Sequence, residues 1–223
     1  MRYLIHPDAG SNELGISGDD YKYIIKVRRH SVGDLIALRS RRDLAEEFRY
    51  RLERIENKTA WFVLESRLHM PCEAERKLHI GWCLVDPKTV EKTLPMLCEL
   101  GVEKITFIRC RRSQSNFRID YERLERIMES SIMQSGRTSL IEFDEAAGIG
   151  VFLQKYPDSA IMDFGGEPLK KTEFFDTIIV GCEGGFDEGE RKLFAGRTLR
   201  QFASPMVMRS ETAVVAVSSL MLG

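Results

Sequence analysis

The chain has 223 residues, of which 43% are hydrophobic and 30% charged, and its formal net charge is −1. This composition predicts one large or two small globular domains and excludes wholesale disorder. The sequence holds no run of about 20 apolar residues that would span a bilayer, and residues 1–8 lack the apolar core of a signal peptide. We therefore expect a cytoplasmic protein with no membrane segment.

The pattern of residues 1–70 predicts a strand-rich region. Apolar and charged residues alternate from Phe48 to Leu52, which is the period of a half-buried strand. Asn57-Lys58 predicts a turn into an apolar strand at 60–64, and residues 32–34 predict another turn before a strand at 35–38. Pro71 and the charged run that follows it are the best candidate for a linker.

From residue 77 onward the pattern changes to strands that alternate with helices. Strands are predicted at 78–85, 104–109, 139–143, 159–164, 176–181 and 206–208, and helices are predicted to begin near Pro87, Asp120, Asp187 and Ser210. Pro95 should kink or split the first of these helices. Alternating strands and helices predict an α/β domain with a parallel sheet covered on both faces.

Cysteine and histidine spacing excludes the common metal motifs. The five cysteines are odd in number and none has CxxC spacing, and the four histidines form no HxxxH or HExxH pair. We therefore expect neither a disulfide scaffold nor a metal site, and a reducing compartment.

Positive charge is concentrated in two short windows. Residues 26–42 hold six Lys or Arg and one acid, Asp34, while residues 104–118 hold five Lys or Arg and no acid. Such windows can neutralise nucleic-acid phosphates, or they can be solvated faces that keep a protein in solution. Charge alone leaves both readings open.

A glycine-rich turn follows the apolar strand at 176–181. It lacks both the phosphate loop GxxxxGK[ST] and the dinucleotide fingerprint GxGxxG. Glu183 would repel a phosphate, so the turn favours a ligand with hydroxyls, amines or a cation, such as an adenosine-type cofactor. A plain strand-to-helix turn without a ligand is the alternative.

The segment 203–213 precedes the last helix. Ser210 and Thr212 are candidate helix caps, and Glu211 suits the positive end of a helix. Arg209 and Glu211 could form a local ion pair and nothing more.

Six segments in order resemble one family, and they cover nearly the whole chain. The matches are Lys26 to Asp34 with KVLR…GD, Glu99 to Val102 with ELGV, Arg112-Ser113 with ERS, Gln134 to Arg137 with EQSGR, Val180 to Phe186 with IGPEGGF, and Met208 to Ala213 with LRTETA. These segments are similar to those of the RsmE family, methyltransferases that use S-adenosylmethionine (SAM) to modify N3 of a uridine in 16S, small-subunit ribosomal RNA.

The resemblance implies a fold that periodicity does not reveal. Residues 1–71 would form a small PUA-like β-barrel that binds RNA. Residues 72–223 would form an α/β domain of the SPOUT class, a parallel sheet with a trefoil knot that builds the SAM site. The resemblance also implies a homodimer that acts on ribosomal RNA of the small subunit.

The resemblance, the chemistry of the target base and the two basic windows together assign roles to individual residues. The expected cofactor-binding residues are Gly181, Glu183, Gly184, Gly185, Ser204, Met206, Val207, Met208, Ser210 and Thr212. The expected catalytic residues are Arg209 and Arg112, either of which would polarise the uracil, and Glu211, which would orient Arg209. The expected RNA-binding residues are Lys26, Arg29, Arg39, Arg41, Arg42, Arg111, Arg112 and Arg137.

The chain departs from the family pattern at several positions. Cys182 replaces the proline of GPEGG, Met133 replaces the glutamate of EQSGR, and Ser204 and Met206 replace a glycine and an arginine before the last helix. Two alternatives therefore stay open. One is an enzyme of the same fold with another specificity, such as a ribose 2′-hydroxyl, and the other is a non-catalytic RNA-binding or ribosome-assembly protein. A nicotinamide oxidoreductase is more distant, because its glycine fingerprint is absent.

Overall fold

A computed structural model of the chain describes residues 2–114 and 116–223, and these divide into two units. The first unit runs to Glu73 and also contains Ile132–Ser139, and the second contains Ala74–Ser131 and Leu140–Gly223. The sequence predicted one boundary, after residue 71. Residues 132–139 join the first unit because they hydrogen-bond to it: the Arg2 amide donates to the Met133 carbonyl at 2.8 Å, and the Cys72 amide donates to Thr138 Oγ1 at 2.8 Å.

The first unit is built on a five-stranded sheet with the strand order β1-β3-β4-β5-β2. All neighbouring strands are antiparallel except β1 and β3. The predicted alternation in β4 is confirmed, because Phe48, Tyr50 and Leu52 are buried in one core. The strands are β1 (Leu4–Ile5), β2 (Glu13–Ile16), β3 (Leu35–Ser40), β4 (Asp43–Glu56) and β5 (Thr59–His69).

Sequence periodicity missed a helix between β2 and β3. Helix α1 (Gly18–Tyr21) continues as a π-helical segment over Lys22–Val27, which ends before Arg29 at a φ of 61°. Ile24 is buried there, whereas Val27 is exposed. The segment is too short and too irregular for a helical period to stand out.

The second unit confirms the predicted α/β architecture. Its six strands are parallel in the order β11-β9-β10-β6-β7-β8. The strands are β6 (His79–Cys83), β7 (Lys104–Ile108), β8 (Glu142–Ala146), β9 (Ala160–Pro168), β10 (Thr177–Val180) and β11 (Leu199–Gln201). The helices are α2 (Pro87–Leu100), α3 (Tyr121–Ser135), α4 (Ile149–Lys155), α5 (Glu188–Lys192) and α6 (Ser210–Leu222).

Two local predictions for this unit are wrong. The last strand is β11 rather than residues 206–208, where Met206 and Val207 are 74% and 76% exposed and belong to a loop. Helix α2 is not split at Pro95, because it runs without a break from Pro87 to Leu100, with Val90 and Leu97 on its buried face.

The structure also contains one disulfide, which the odd cysteine count did not predict. It joins Cys83, at the end of β6, to Cys110, just after the neighbouring strand β7, with a Cα–Cα distance of 5.8 Å. The other three cysteines, Cys72, Cys98 and Cys182, lie outside this disulfide. Adjacent parallel strands place these two positions side by side, a proximity that sequence spacing does not reveal.

His79 is a buried histidine at the start of β6. Its Nε2 lies 2.7 Å from Thr106 Oγ1, and its ring centroid lies 4.5 Å from that of Tyr156. Burial, with the nearby Lys104 cation, lowers the pKa of His79 from 6.5 to about 4. The folded protein therefore holds this imidazole neutral over a range in which the unfolded chain protonates it.

We expect this histidine to make folding stability pH-dependent. As pH falls from about 6.5 to about 4, the unfolded state binds a proton that the folded state does not, so the free energy of unfolding should fall by about 3 kcal/mol through this group and level off below pH 4. Urea unfolding of His79→Gln at pH 7 and pH 4.5 should show a smaller loss than the parent protein. The exposed His69 provides the matched control, and equal losses in His79→Gln and the parent would contradict the prediction.

Candidate active site

One cavity in the second unit lies at the carboxyl ends of β9, β10 and β11. In open α/β sheets, ligands bind at this edge. The cavity contains about 680 Å³ of empty space, part of it open to solvent. It is lined by Met162, Asp163, Phe164, Val180, Gly181, Cys182, Gly185, Phe186, Gln201, Phe202, Ser204, Met206, Met208, Ser210 and Ala213.

Two loops form most of this lining. The glycine turn, residues 181–186, follows β10, and the loop 202–209 joins β11 to α6. The sequence singled out both segments for chemical reasons, and the structure brings them together around one cavity.

A buried hydroxyl joins the two loops to the sheet. Ser210, the first residue of α6, accepts a hydrogen bond from Trp82 Nε1 at 2.9 Å and donates one to the Gly181 carbonyl at 2.5 Å. Trp82 is fully buried on β6. One hydroxyl thus satisfies a buried indole N–H and fixes the start of α6 against the glycine turn.

The glycine turn is tight and leaves little space for side chains. Gly185 has a φ of 63°, and its amide donates to the Cys182 carbonyl at 2.9 Å. A Cβ on Gly181 would lie 3.4 Å from Gly185 Cα and from the Phe186 ring. Backbone therefore forms this wall of the cavity.

Cys182 stands where the family pattern has a proline. Its side chain is buried in the cavity wall, and its Sγ lies 3.7 Å from the Gly185 carbonyl oxygen. Burial raises the pKa of the Cys182 thiol, so the group is a neutral thiol near neutral pH. The substitution leaves the cavity open.

A buried carboxylate in the lining was missed by the sequence analysis. Asp163 on β9 has only 4% of its side chain exposed, and Arg191 Nε and Nη2 donate to its two oxygens at 2.7 and 3.0 Å. Arg191 lies on α5, which starts at the predicted position with a capping box formed by Asp187 and Glu190. One feature of the sequence could have indicated Asp163: it directly follows three apolar residues, 160–162, near the end of the strand predicted at 159–164.

The predicted cofactor residues divide into two groups. Gly181, Gly185, Ser204, Met206, Met208 and Ser210 line the cavity. Glu183, Gly184 and Val207, in the same two loops, and Thr212, in the first turn of α6, lie outside the lining, and all four are exposed.

The predicted catalytic residues lie around the cavity rather than in its lining. Arg209 stands between Met208 and Ser210, its side chain is 83% exposed, and its Nη1 lies 3.9 Å from Glu211 Oε1. Arg112 Nη1 donates to the Gly184 carbonyl at 2.5 Å, which holds this side chain against the glycine turn. Arg209 thus lies in one of the two loops that form the cavity, and Arg112 is held against the other.

The structure removes two residues from the predicted RNA-binding surface. Arg39 is buried: it pairs with Glu47 at 2.9 Å, donates to the Met70 carbonyl at 3.1 Å and lies 4.9 Å from the Tyr3 ring centroid. Arg137 is also buried, and its Nε donates to Ser139 Oγ at 3.0 Å. Neither guanidinium is presented to a phosphate. The other predicted residues, Lys26, Arg29, Arg41, Arg42, Arg111 and Arg112, are exposed.

Comparison with known proteins decides the family. A protein-family model described as an RNA methyltransferase domain matches residues 72–222. The ribosomal RNA small subunit methyltransferase E of Helicobacter pylori is 34% identical over 226 residues, which cover 99% of each chain. The chain belongs to the RsmE family. A relative of the same name from Aquifex aeolicus is 25% identical over 149 residues, covering 62% of this chain and 64% of its own.

Solved structures share the fold of this RsmE-family chain. A putative methyltransferase from Legionella pneumophila, in complex with SAM, has a TM-score of 0.77 and 22% identity and covers 99% of this chain and 96% of its own. The Neisseria gonorrhoeae small subunit methyltransferase E, bound to SAM, has a TM-score of 0.76 and 21% identity with the same coverage.

Residues 2–114 and 116–223 hold no candidate for a membrane-spanning helix or for a metal site. No helix in that part of the chain combines the length and hydropathy needed to cross a bilayer. Within the same residues, no group of three or more potential metal ligands comes together.

Removing the Ser210 hydroxyl should loosen the cavity. Ser210→Ala leaves the buried Trp82 indole N–H without its acceptor, which should lower the free energy of unfolding by about 2 kcal/mol. Ser219, exposed on the same helix, provides the matched control, and Ser219→Ala should change stability by no more than about 0.5 kcal/mol. Urea unfolding followed by tryptophan fluorescence measures both, and equal effects would refute a joining role for Ser210.

Proposed function

We propose that this protein transfers a methyl group from SAM to N3 of a uridine in 16S ribosomal RNA of the small subunit. The observation that carries the proposal is the cavity between the glycine turn and the loop 202–209, with Arg209 at its edge. The name of the Helicobacter pylori relative and the SAM bound by the two structural neighbours support the same activity.

The residues of the cavity suit SAM. Val180, Phe186 and Ala213 give apolar surface for an adenine ring, and the backbone of the glycine turn allows close approach. Asp163 supplies carboxylate oxygens, and two of its acceptor directions are used by Arg191 while others stay available to an amine or hydroxyl. When bound, SAM supplies an electrophilic methyl group on a sulfonium.

The target nitrogen requires stabilisation of negative charge. N3 of uracil is an imide nitrogen between two carbonyls, and loss of its proton places negative charge on O2 and O4. We assign Arg209 to stabilise these oxygens, because its guanidinium is permanently charged and 83% exposed beside the cavity. Glu211 would orient Arg209, and Arg112, held on the Gly184 carbonyl, is the second candidate for the same role.

The proposal includes the rest of the architecture implied by the family. The first unit would be the PUA-like, RNA-binding barrel, and the loops of the cavity would form the trefoil knot. The protein would work as a homodimer. A ribosomal RNA substrate would place it in the cytoplasm.

Methyl transfer to ribosomal RNA tests the proposal directly. The protein is incubated with isotope-labelled SAM and small subunits or 16S RNA, and the RNA is digested to nucleosides for mass spectrometry. Labelled 3-methyluridine is the expected product. A labelled 2′-O-methyl nucleoside would replace the proposed specificity with another one, and absence of SAM binding in calorimetry would favour a non-catalytic RNA-binding protein.

Loss of the Arg209 charge should affect turnover rather than cofactor affinity. We expect Arg209→Ala to lower kcat by about 100-fold or more, because a donor aimed at developing negative charge is removed, while the Kd for SAM stays within about twofold. Arg126, an exposed arginine on α3, serves as the control, and Arg126→Ala should retain full activity. Full methyl transfer by Arg209→Ala would contradict the assignment.

A further inference from the structure

We propose that a second cavity, in the first unit, binds an unpaired nucleotide of the substrate RNA, with its base against Tyr23 and its phosphate beside Arg28 and Arg2. This inference rests on the proposed function, because it concerns the RNA on which that activity would act. It adds a binding site apart from the SAM cavity, since no residue lines both cavities; Arg28 and His30 lie within the segment that resembles KVLR…GD.

The cavity has an apolar floor and a basic rim. Tyr3, Ile24 and Ile36 are buried and form its base. Among the residues described for this lining, three side chains are basic, Arg2, Arg28 and His30, and none is acidic. The cavity contains about 430 Å³ of empty space, part of it open to solvent.

Tyr23 and Arg28 provide a surface for stacking. The Arg28 guanidinium carbon lies 5.7 Å from the centroid of the Tyr23 ring, and Tyr23 is partly exposed. Unpaired RNA bases stack on tyrosine rings and on arginine guanidinium planes, and this stacking tolerates every base. Leu35, 47% exposed in the same lining, extends the apolar surface toward solvent.

Charge favours an anionic occupant. Lys26 and Arg29 are exposed in the segment that carries Tyr23 and Arg28, so the basic character extends beyond the lining. Asp34 Oδ2 lies 3.7 Å from His30 Nδ1 and also accepts the Ser31 amide at 2.8 Å. A phosphodiester with a flat base matches this combination of basic rim and aromatic wall better than a peptide does.

The chemistry of the proposed reaction makes such a nucleotide available. N3 lies on the Watson–Crick edge of uracil, so methylation requires a target base that is not paired. Nucleotides beside an unpaired target are themselves exposed in loops, bulges or single strands. A site that holds one of them would select an open RNA region.

Binding of a labelled oligonucleotide tests this site without requiring methyl transfer. The probe is fluorescein-labelled decauridylate, and anisotropy gives the Kd for the full-length protein. We expect Arg28→Glu to raise the Kd at least tenfold and to lower the salt slope by about 0.7, because one phosphate contact with a single strand is lost. Tyr23→Leu should raise the Kd about fivefold or more, while Tyr23→Phe should keep parental affinity.

Arg126→Glu is the matched control, because it makes the same charge change on α3 in the part of that helix assigned to the second unit. It should bind decauridylate within twofold of the parent protein. A 4-thiouridine version of the probe should crosslink to the segment 23–30, as located by mass spectrometry. Equal Kd values for Arg28→Glu and Arg126→Glu, with crosslinks elsewhere, would overturn the proposal; thermal unfolding confirms that each variant is folded.

The outcomes separate this inference from the proposed function. If the parent protein makes 3-methyluridine while Arg28→Glu and Tyr23→Leu bind the probe normally, the second cavity is not a nucleotide site and the activity stands. If these variants lose the probe but the parent makes no methylated nucleoside, the cavity stands and the proposed activity fails.

Discussion

The hydrogen bonds of the Ser210 hydroxyl hold the candidate active site together. The donor is an indole N–H buried in the sheet, the acceptor is a backbone carbonyl of the glycine turn, and the hydroxyl itself begins the last helix. An unpaired indole N–H in this core would be costly, so the three elements are constrained to one arrangement. The loop 202–209 ends at Ser210, so fixing Ser210 also fixes the backbone of the residues on either side of it. Arg209 is therefore placed at the cavity edge by a contact that it does not itself make.

Arginines serve different purposes in this chain. Arg39 neutralises Glu47 and packs on Tyr3, so its charge is used inside the first unit. Arg191 fixes the carboxylate of Asp163 in the cavity wall from α5. Arg28 and Arg209, in contrast, lie at the rims of the two cavities and present charge outward. Exposure suits Arg28 and Arg209 for contact with a polyanion, whereas Arg39 is buried in its ion pair with Glu47.

Sequence reasoning predicted most of the architecture and less of the detail. Alternation through Phe48, Tyr50 and Leu52 was sufficient to predict strand β4. The alternating order of strands and helices was sufficient to predict a parallel sheet. Sequence reasoning failed for Arg39. A charged residue in a basic window gives no sign that it will be buried in an ion pair with Glu47, its partner on the neighbouring strand. Asp163 was missed for a related reason, because it lies outside the six segments that resemble the family. Its place in the cavity lining follows only from the fold, which brings β9 beside the glycine turn. The Cys83–Cys110 disulfide likewise depends on strand order, which spacing along the chain does not encode.

Completion of the first unit during synthesis depends on residues 132–139, which follow part of the second unit in the chain. The first unit is complete only when Tyr3 Oη can donate to the Arg137 carbonyl and Cys72 can bond to Thr138, so its last hydrogen bonds come from a stretch that leaves the ribosome more than sixty residues after β5. A fragment cut after residue 73 would leave Tyr3 and Cys72 without these partners. The amino-terminal unit therefore matures together with the first half of its neighbour rather than ahead of it.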